Sequence, residues 1–170
     1  LHSGHRKRMG DRLKNQGIDS FSPHEVLEML LFYALPRIDT NEIAHRLIDR
    51  FGSLSGVLDA PFDELVKVEG VGPKAASLIR FIPQISRYYM SDNTKDICID
   101  SSEKAGKYML PRYIGRSEEA VFLVCLDSKL KVISTSLIHE GTINATEVCI
   151  RKIVSAALQN NASAVLLSHN

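Results

Sequence analysis

The stretch "VEGVGPKAASLI", Val68 to Ile79, sets two glycines around one apolar residue and follows them at once with a proline. Gly70 and Gly72 allow backbone angles closed to other residues and leave room for a close partner. Val71 between them is placed to anchor the turn in a core. Pro73 suits the first position of a helix, where its missing N–H would have had no partner anyway. Ala76 and Ile79 then face inward on that helix. The backbone N–H groups near Gly70 to Lys74 point outward at a helix N-terminus, which receives a phosphate oxygen well. Lys74 adds a positive charge to that cradle. The same pattern also suits a plain helix–turn–helix joint with glycines for tight packing.

Outward from this turn, Ser22 to about Met90 carries helical periodicity. Val26, Leu27, Leu30, Leu31 and Ala34 form one stripe, with Glu25 and Glu28 outside it. "FSPHE" supplies a start: Ser22 caps, Pro23 takes the first helical position, and Glu25 stands three residues after Ser22. Pro36 ends that helix. A second stripe, Ile43, Ala44, Leu47, Ile48 and Phe51, stops at Gly52. "PFDELVKV" predicts a third, short helix, and Pro73 to Ile82 a fourth. Four short helices with tight joints predict a compact helical domain.

The pattern changes after the polar "SDNTKD", Ser91 to Asp96. Asp100 with Glu103 signals a helix start, and that helix is expected to end by Pro111. A buried strand is predicted at "AVFLVCLD" (Ala120 to Asp127), with "KVISTSLI" (Lys131 to Ile138) as its partner across a hairpin. An amphipathic helix follows, with Cys149, Ile150, Ile153, Val154, Ala157 and Leu158 on one face, and Asn160 and Asn161 supplying a left-handed end. "SAVLLS" then reads as another buried strand. The predicted fold is mixed α+β: an all-α domain over residues 1–92, then a partial α/β domain over residues 97–170.

Composition narrows the function classes. With 44% hydrophobic and 24% charged residues and a formal net charge of +1, the chain reads as an ordinary soluble protein with no overall basic character. Any nucleic-acid site must therefore come from local geometry. The local exception is "HRKRMGDRLK", with Arg6, Lys7, Arg8, Arg12 and Lys14 against Asp11, a run that also suits a solvated helix face. Cys98, Cys125 and Cys149 are odd in number and far apart, which suits buried reduced thiols in a cytoplasmic protein. No stretch is long and apolar enough to span a bilayer, and no signal peptide precedes the fold. The start at Leu1 rather than methionine suggests a processed, trimmed or fragmentary form.

"FGSLSGVLDAPFDELVKVEGVGPKAASLI" resembles the helix-hairpin-helix family of DNA-binding modules, which hold the phosphodiester backbone without reading sequence. Gly70, Val71, Gly72 and Lys74 are the backbone-contacting candidates this implies. "ALPRIDTNEIAHRL" occupies the place of a partner hairpin but lacks its glycines. The whole chain, from "GHRKRMGDRLKNQGIDSFSPHEVLEMLLFYALPRIDTNEIA" to "NNASAVLLSHN", resembles the RadC family, named for DNA repair.

That resemblance implies an MPN-like second domain with a JAMM-type zinc site. His169 matches the first histidine of its signature and Asn170 the following residue. The second histidine and the aspartate have no counterpart before the chain ends, so the expectation is half a zinc site, holding no metal here. Glu119 is the candidate for the glutamate acting on metal-bound water, with Glu140 and Glu147 as alternatives. The family often has a glutamate where this chain has Lys152, a departure that removes support for carrying a role onto that helix. Catalytic zinc takes three protein ligands plus water, and a carboxylate relays the proton during attack on an amide. One histidine cannot do this, and none of His2, His5, His24, His45 and His139 shows ligand spacing joined to His169. The readings in competition are a DNA-associated binding protein, a zinc-dependent peptidase or isopeptidase, and a protein-interaction module with both motifs vestigial.

Overall fold

The computed structural model describes residues 3–92, 97–116, 118–141 and 150–170. The chain divides into two compact units, Leu1–Pro83 and Gln84–Asn170. The boundary falls inside a helix, and residues 93–96, between the two domains expected from sequence, lie outside the described residues. Among the described residues no helix is long and apolar enough to cross a membrane.

The first unit is helical: α1 (Ser3–Gln16), a 3₁₀ turn (Ile18–Ser20), α2 (Pro23–Ala34), α3 (Asn41–Phe51), α4 (Leu54–Asp59), α5 (Phe62–Leu65) and the start of α6 (Pro73–Asp92). Ser22 and Glu25 close a capping box at the head of α2. The Glu25 carboxylate accepts from the Ser22 N–H and from the Ser22 hydroxyl, each at 2.8 Å. Gly52 ends α3 in the left-handed conformation, with φ of 81°. The unexpected α4 starts at Ser53, whose hydroxyl accepts from the Gly56 N–H. Leu27, Leu31, Leu47, Leu65 and Ile79 are fully buried in the shared core.

Glu28 departs from the sequence expectation. The apolar stripe leaves it outside, yet it is only 1% exposed. It survives burial because its carboxylate is hydrogen-bonded on both oxygens. His5 Nε2 stands 3.0 Å from Oε1, and Asn41 donates to Oε2 at 3.1 Å.

The second unit holds α7 (Ser102–Tyr113), β1 (Ala120–Leu126), β2 (Val132–Glu140), α8 (Ile150–Gln159) and β3 (Ala164–His169). Its three strands lie in the order β2–β1–β3, with both pairings antiparallel, so the chain is of mixed α+β type as expected. The cap of α7 is Ser101, whose hydroxyl accepts from the Lys104 N–H. Pro111 does not stop that helix, which runs on to Tyr113. The central strand β1 is buried along its whole length. Leu130, with φ of 59°, makes the β1–β2 turn, and Asn161, with φ of 48°, makes the turn after α8.

The apolar face expected on α8 is only partly covered, and the burial expected of β3 holds on one face alone. Ile150, Val154 and Leu158 are exposed, while Ile153, Ala156 and Ala157 form the inner side of α8. Val165 and Leu167 are also exposed, because β3 alternates and only its even-numbered face meets the α7 core. Of the cysteines, Cys125 is buried and Cys98 half-buried, and both are free thiols. Cys149 lies outside the described residues.

Candidate functional site

The glycine turn sits between α5 and α6. The Val71 N–H donates to the Val68 carbonyl at 3.0 Å, and Val71 itself is buried. The Gly72 carbonyl accepts from the Ala76 N–H at 3.1 Å and so opens α6, with Pro73 as its first residue. The two glycines are not equivalent. Gly70 has φ of 88°, and a Cβ there would stand 2.8 Å from Ile43 Cδ1. A Cβ on Gly72 would meet nothing within 4 Å. Gly70 is therefore needed for the turn and its approach to α3, whereas Gly72 leaves open space in front of the helix end.

Among the described residues, the N–H groups of Gly72, Lys74 and Ala75 have no protein acceptor, as expected for the first turn of a helix. Lys74 is exposed and forms no ion pair among the described residues. Arg46 also reaches this turn, but its charge is engaged. It pairs with Glu42 at 2.8 Å and with Glu69 at 3.5 Å, and donates to the Glu69 carbonyl.

The basic run divides between two tasks. Arg6 donates to the carbonyls of Phe32, Leu35, Pro36 and Ile38, closing the C-terminal end of α2, and lies 4.5 Å over the Phe32 ring. Arg12 pairs with Glu25, donates to the Ser20 carbonyl and covers Phe21. Lys7, Arg8 and Lys14 remain exposed. Sequence reading missed the structural use of Arg6 because its acceptors lie about thirty residues away.

The second candidate place is the end of the sheet. His169 is the last residue of β3 and pairs with Val121, which pairs on its other side with His139. Strand alternation puts His139 and His169 on one face, flanking Val121, and puts Ala120 and Glu140 on the other. The irregularity between Val121 and Phe122 in the β1–β2 register produces this arrangement, which sequence spacing alone does not show. His139 Nε2 is buried and has no partner among the described residues.

Glu119 immediately precedes β1, and its carbonyl accepts from the Gly141 N–H at 2.8 Å. Asn170 fixes the same strand end: its side chain accepts from the Ala120 N–H at 2.7 Å and donates to the Glu118 carbonyl at 3.3 Å. Glu140 is engaged elsewhere, in an ion pair with Arg116. Glu147 and His2 lie outside the described residues, and Lys152 is exposed on α8.

The remaining histidines serve other contacts. His5 holds Glu28, and His24 stacks on His45 with ring centroids 4.3 Å apart. Zinc requires several converging ligands. Among the described residues no group of three or more His, Cys, Asp or Glu is placed to hold a metal ion. These residues therefore do not by themselves fit a zinc ion, and His169 alone supports no metal-dependent step.

A family model described as a RadC-like JAB domain matches residues 99–170. The chain is also 32% identical, over 177 aligned positions, to the UPF0758 protein FN0909 of Fusobacterium nucleatum. That alignment takes in 99% of this chain and 76% of the relative. Residues 99–170 contain the sheet end carrying His169, and the longer alignment runs through the helical unit as well. The chain belongs to the RadC (UPF0758) family.

Proposed function

We propose that this RadC-family chain is a DNA-associated protein whose helical unit holds the phosphodiester backbone at the turn before α6, without reading sequence. The observation that carries this reading is Lys74, unpaired among the described residues, beside the acceptor-free N–H groups of Gly72, Lys74 and Ala75. An anionic oxygen there gains several N–H donors, the positive end of the helix and one unshared ammonium. No base-reading element is invoked, so binding is sequence-tolerant and salt-dependent. A cytoplasmic setting and a place in DNA repair belong to the same proposal, the former supported by the free thiols of Cys98 and Cys125.

The test is fluorescence anisotropy with two duplexes of unrelated sequence, across a range of salt. Lys74→Glu should weaken binding to both by about tenfold and reduce the salt slope by about one. Gly72→Val should weaken it too, by filling the space in front of the helix end. Binding unchanged by both substitutions removes the turn from the function.

A second reading, a zinc-dependent peptidase or isopeptidase, is favoured by the JAB-domain match and by His169 at the end of β3. Equilibration with zinc sulfate followed by elemental analysis tests it. One zinc retained by a chain extended past Asn170 through the missing second histidine and aspartate, and lost in His169→Ala, supports this reading; an extended, folded chain that retains none counts against it.

A further inference from the structure

A cavity of about 240 Å³ opens within the helical unit, among His5 and Arg6 on α1, Glu28 and Phe32 on α2, and residues 36–40 leading into α3. Most of its polar groups are already committed. Arg6 gives its N–H groups to four backbone carbonyls. The Glu28 carboxylate, 1% exposed, is hydrogen-bonded to His5 and Asn41, and Asp39 Oδ1 accepts from the Asn41 N–H at 3.1 Å. Two groups are left over. The Arg37 guanidinium is exposed and makes no ion pair or hydrogen bond among the described residues, and His5 Nδ1 has no partner there either.

The buried carboxylate decides which His5 nitrogen is available to a ligand. An ionised carboxylate only accepts, so Nε2, 3.0 Å away, carries the hydrogen between them. That leaves Nδ1 as the nitrogen that gains or loses a proton. The ring is held further by Phe32, edge-on to it with centroids 6.4 Å apart. An oriented imidazole and a free guanidinium lining one cavity call for an anion that can share a proton. A guanidinium fork suits carboxylate and phosphate oxygens alike, so the imidazole separates the two. A phosphate monoester loses its second proton at about pH 6, so its oxygens can donate to the Nδ1 lone pair or accept from the imidazolium. A carboxylate, ionised well below that pH, can only accept. Phe32, Pro36 and Ile38 supply an apolar wall for the organic part of an ester.

We propose that this cavity binds a phosphate monoester, its oxygens held by the Arg37 guanidinium and by His5 Nδ1, and its organic group against Phe32 and Ile38. The site shares no residue with the turn before α6, and the two stand or fall separately. Two sources carry this chemistry: a small phosphate ester and the terminal phosphate of a nucleic-acid strand.

The test is a titration of the whole chain with phenyl phosphate, followed by calorimetry and by NMR of the histidine ring nitrogens. Phenyl phosphate should bind about tenfold more tightly than benzoate, and Arg37→Gln should weaken it about tenfold. Arg37 is exposed and unpaired among the described residues, so its replacement does not threaten the fold. The His5 Nδ1 signal should shift on saturation, while those of His24 and His45 stay in place. No binding of phenyl phosphate, equal affinity in Arg37→Gln, equal affinity for benzoate, or saturation without a shift at His5 Nδ1 overturns the site. Competition separates the sources. A 5′-phosphorylated oligonucleotide that displaces phenyl phosphate, where its 5′-hydroxyl counterpart does not, identifies a strand end; displacement by neither identifies a small ester. Displacement by both overturns the preference for a monoester.

Discussion

Gly70 lies directly against Ile43, with a positive φ of 88° and space for a hydrogen but not for a methyl group. Ile43 is buried, so its side chain has little freedom to withdraw. Gly70→Ala should therefore destabilise the helical unit by about 1–3 kcal/mol, from backbone strain and overpacking together. Gly72→Ala, with nothing near the new methyl group, should change stability by less than about 1 kcal/mol. Urea unfolding of the two variants separates the structural glycine from the open one.

The buried Glu28 carboxylate depends on His5, which reaches it from a helix whose only buried hydrophobic residue, among those described, is Met9. His5→Ala leaves Asn41 as the remaining side-chain donor to that carboxylate. A loss of about 1–3 kcal/mol is expected, the range for a buried polar group deprived of a partner. The urea midpoint should fall without a change in slope.

The Glu25 carboxyl is held down to about 2 from an ordinary 4.5, first by the Ser22 N–H, then by the Ser22 hydroxyl, with Arg12 adding to both. A lowered acid contributes stability above its unfolded value and loses it as pH falls through the folded value. The window is therefore pH 4.5 down to about 2. Thermal midpoints of wild type and Glu25→Gln should differ at pH 6 and converge as pH approaches 2. The difference at pH 6 is expected to be about 1 kcal/mol or less, because solvent screens this partly exposed group.

Asn170 ties the end of β3 to the start of β1 through both ends of its amide. Asn170→Ala should leave global stability within about 1 kcal/mol, since the Asn170 side chain is exposed and water can take its place at the Ala120 N–H. The Ala120 amide, deprived of its acceptor, should exchange with deuterium about tenfold faster. Exchange at Val124, in the buried middle of β1, should not change.

The helical half was legible because its signals are local. Ser22, Pro23 and Glu25 announced α2, and Gly52 ended α3 where the stripe stopped. The short α4 was missed because six residues carry little periodicity. Pro111 misled because a proline near the last turn removes only one helical bond, and the helix continues to Tyr113. The exposed faces of α8 and β3 were misread because an apolar stripe shows which residues avoid water, not which of them find cover. At the glycine turn, Gly70, Val71, Gly72 and Lys74 are neighbours in sequence and lie together before α6, but the difference between the two glycines was not visible.

The sequence by itself determined what depends on neighbours within a few residues: caps, helix stripes, the β1–β2 hairpin, the turn before α6 and the place of His169 at a strand end. Tertiary structure decided what depends on distant partners. It put Glu28 inside with His5 and Asn41, committed Arg6 to the end of α2, and paired Glu140 with Arg116. It also set His139 and His169 on either side of Val121 through a shift in strand register. The physical reason is that backbone propensity and capping act over one or two turns. Burial, ion pairing and register are fixed only when separate elements meet, and spacing along the chain carries no record of that meeting.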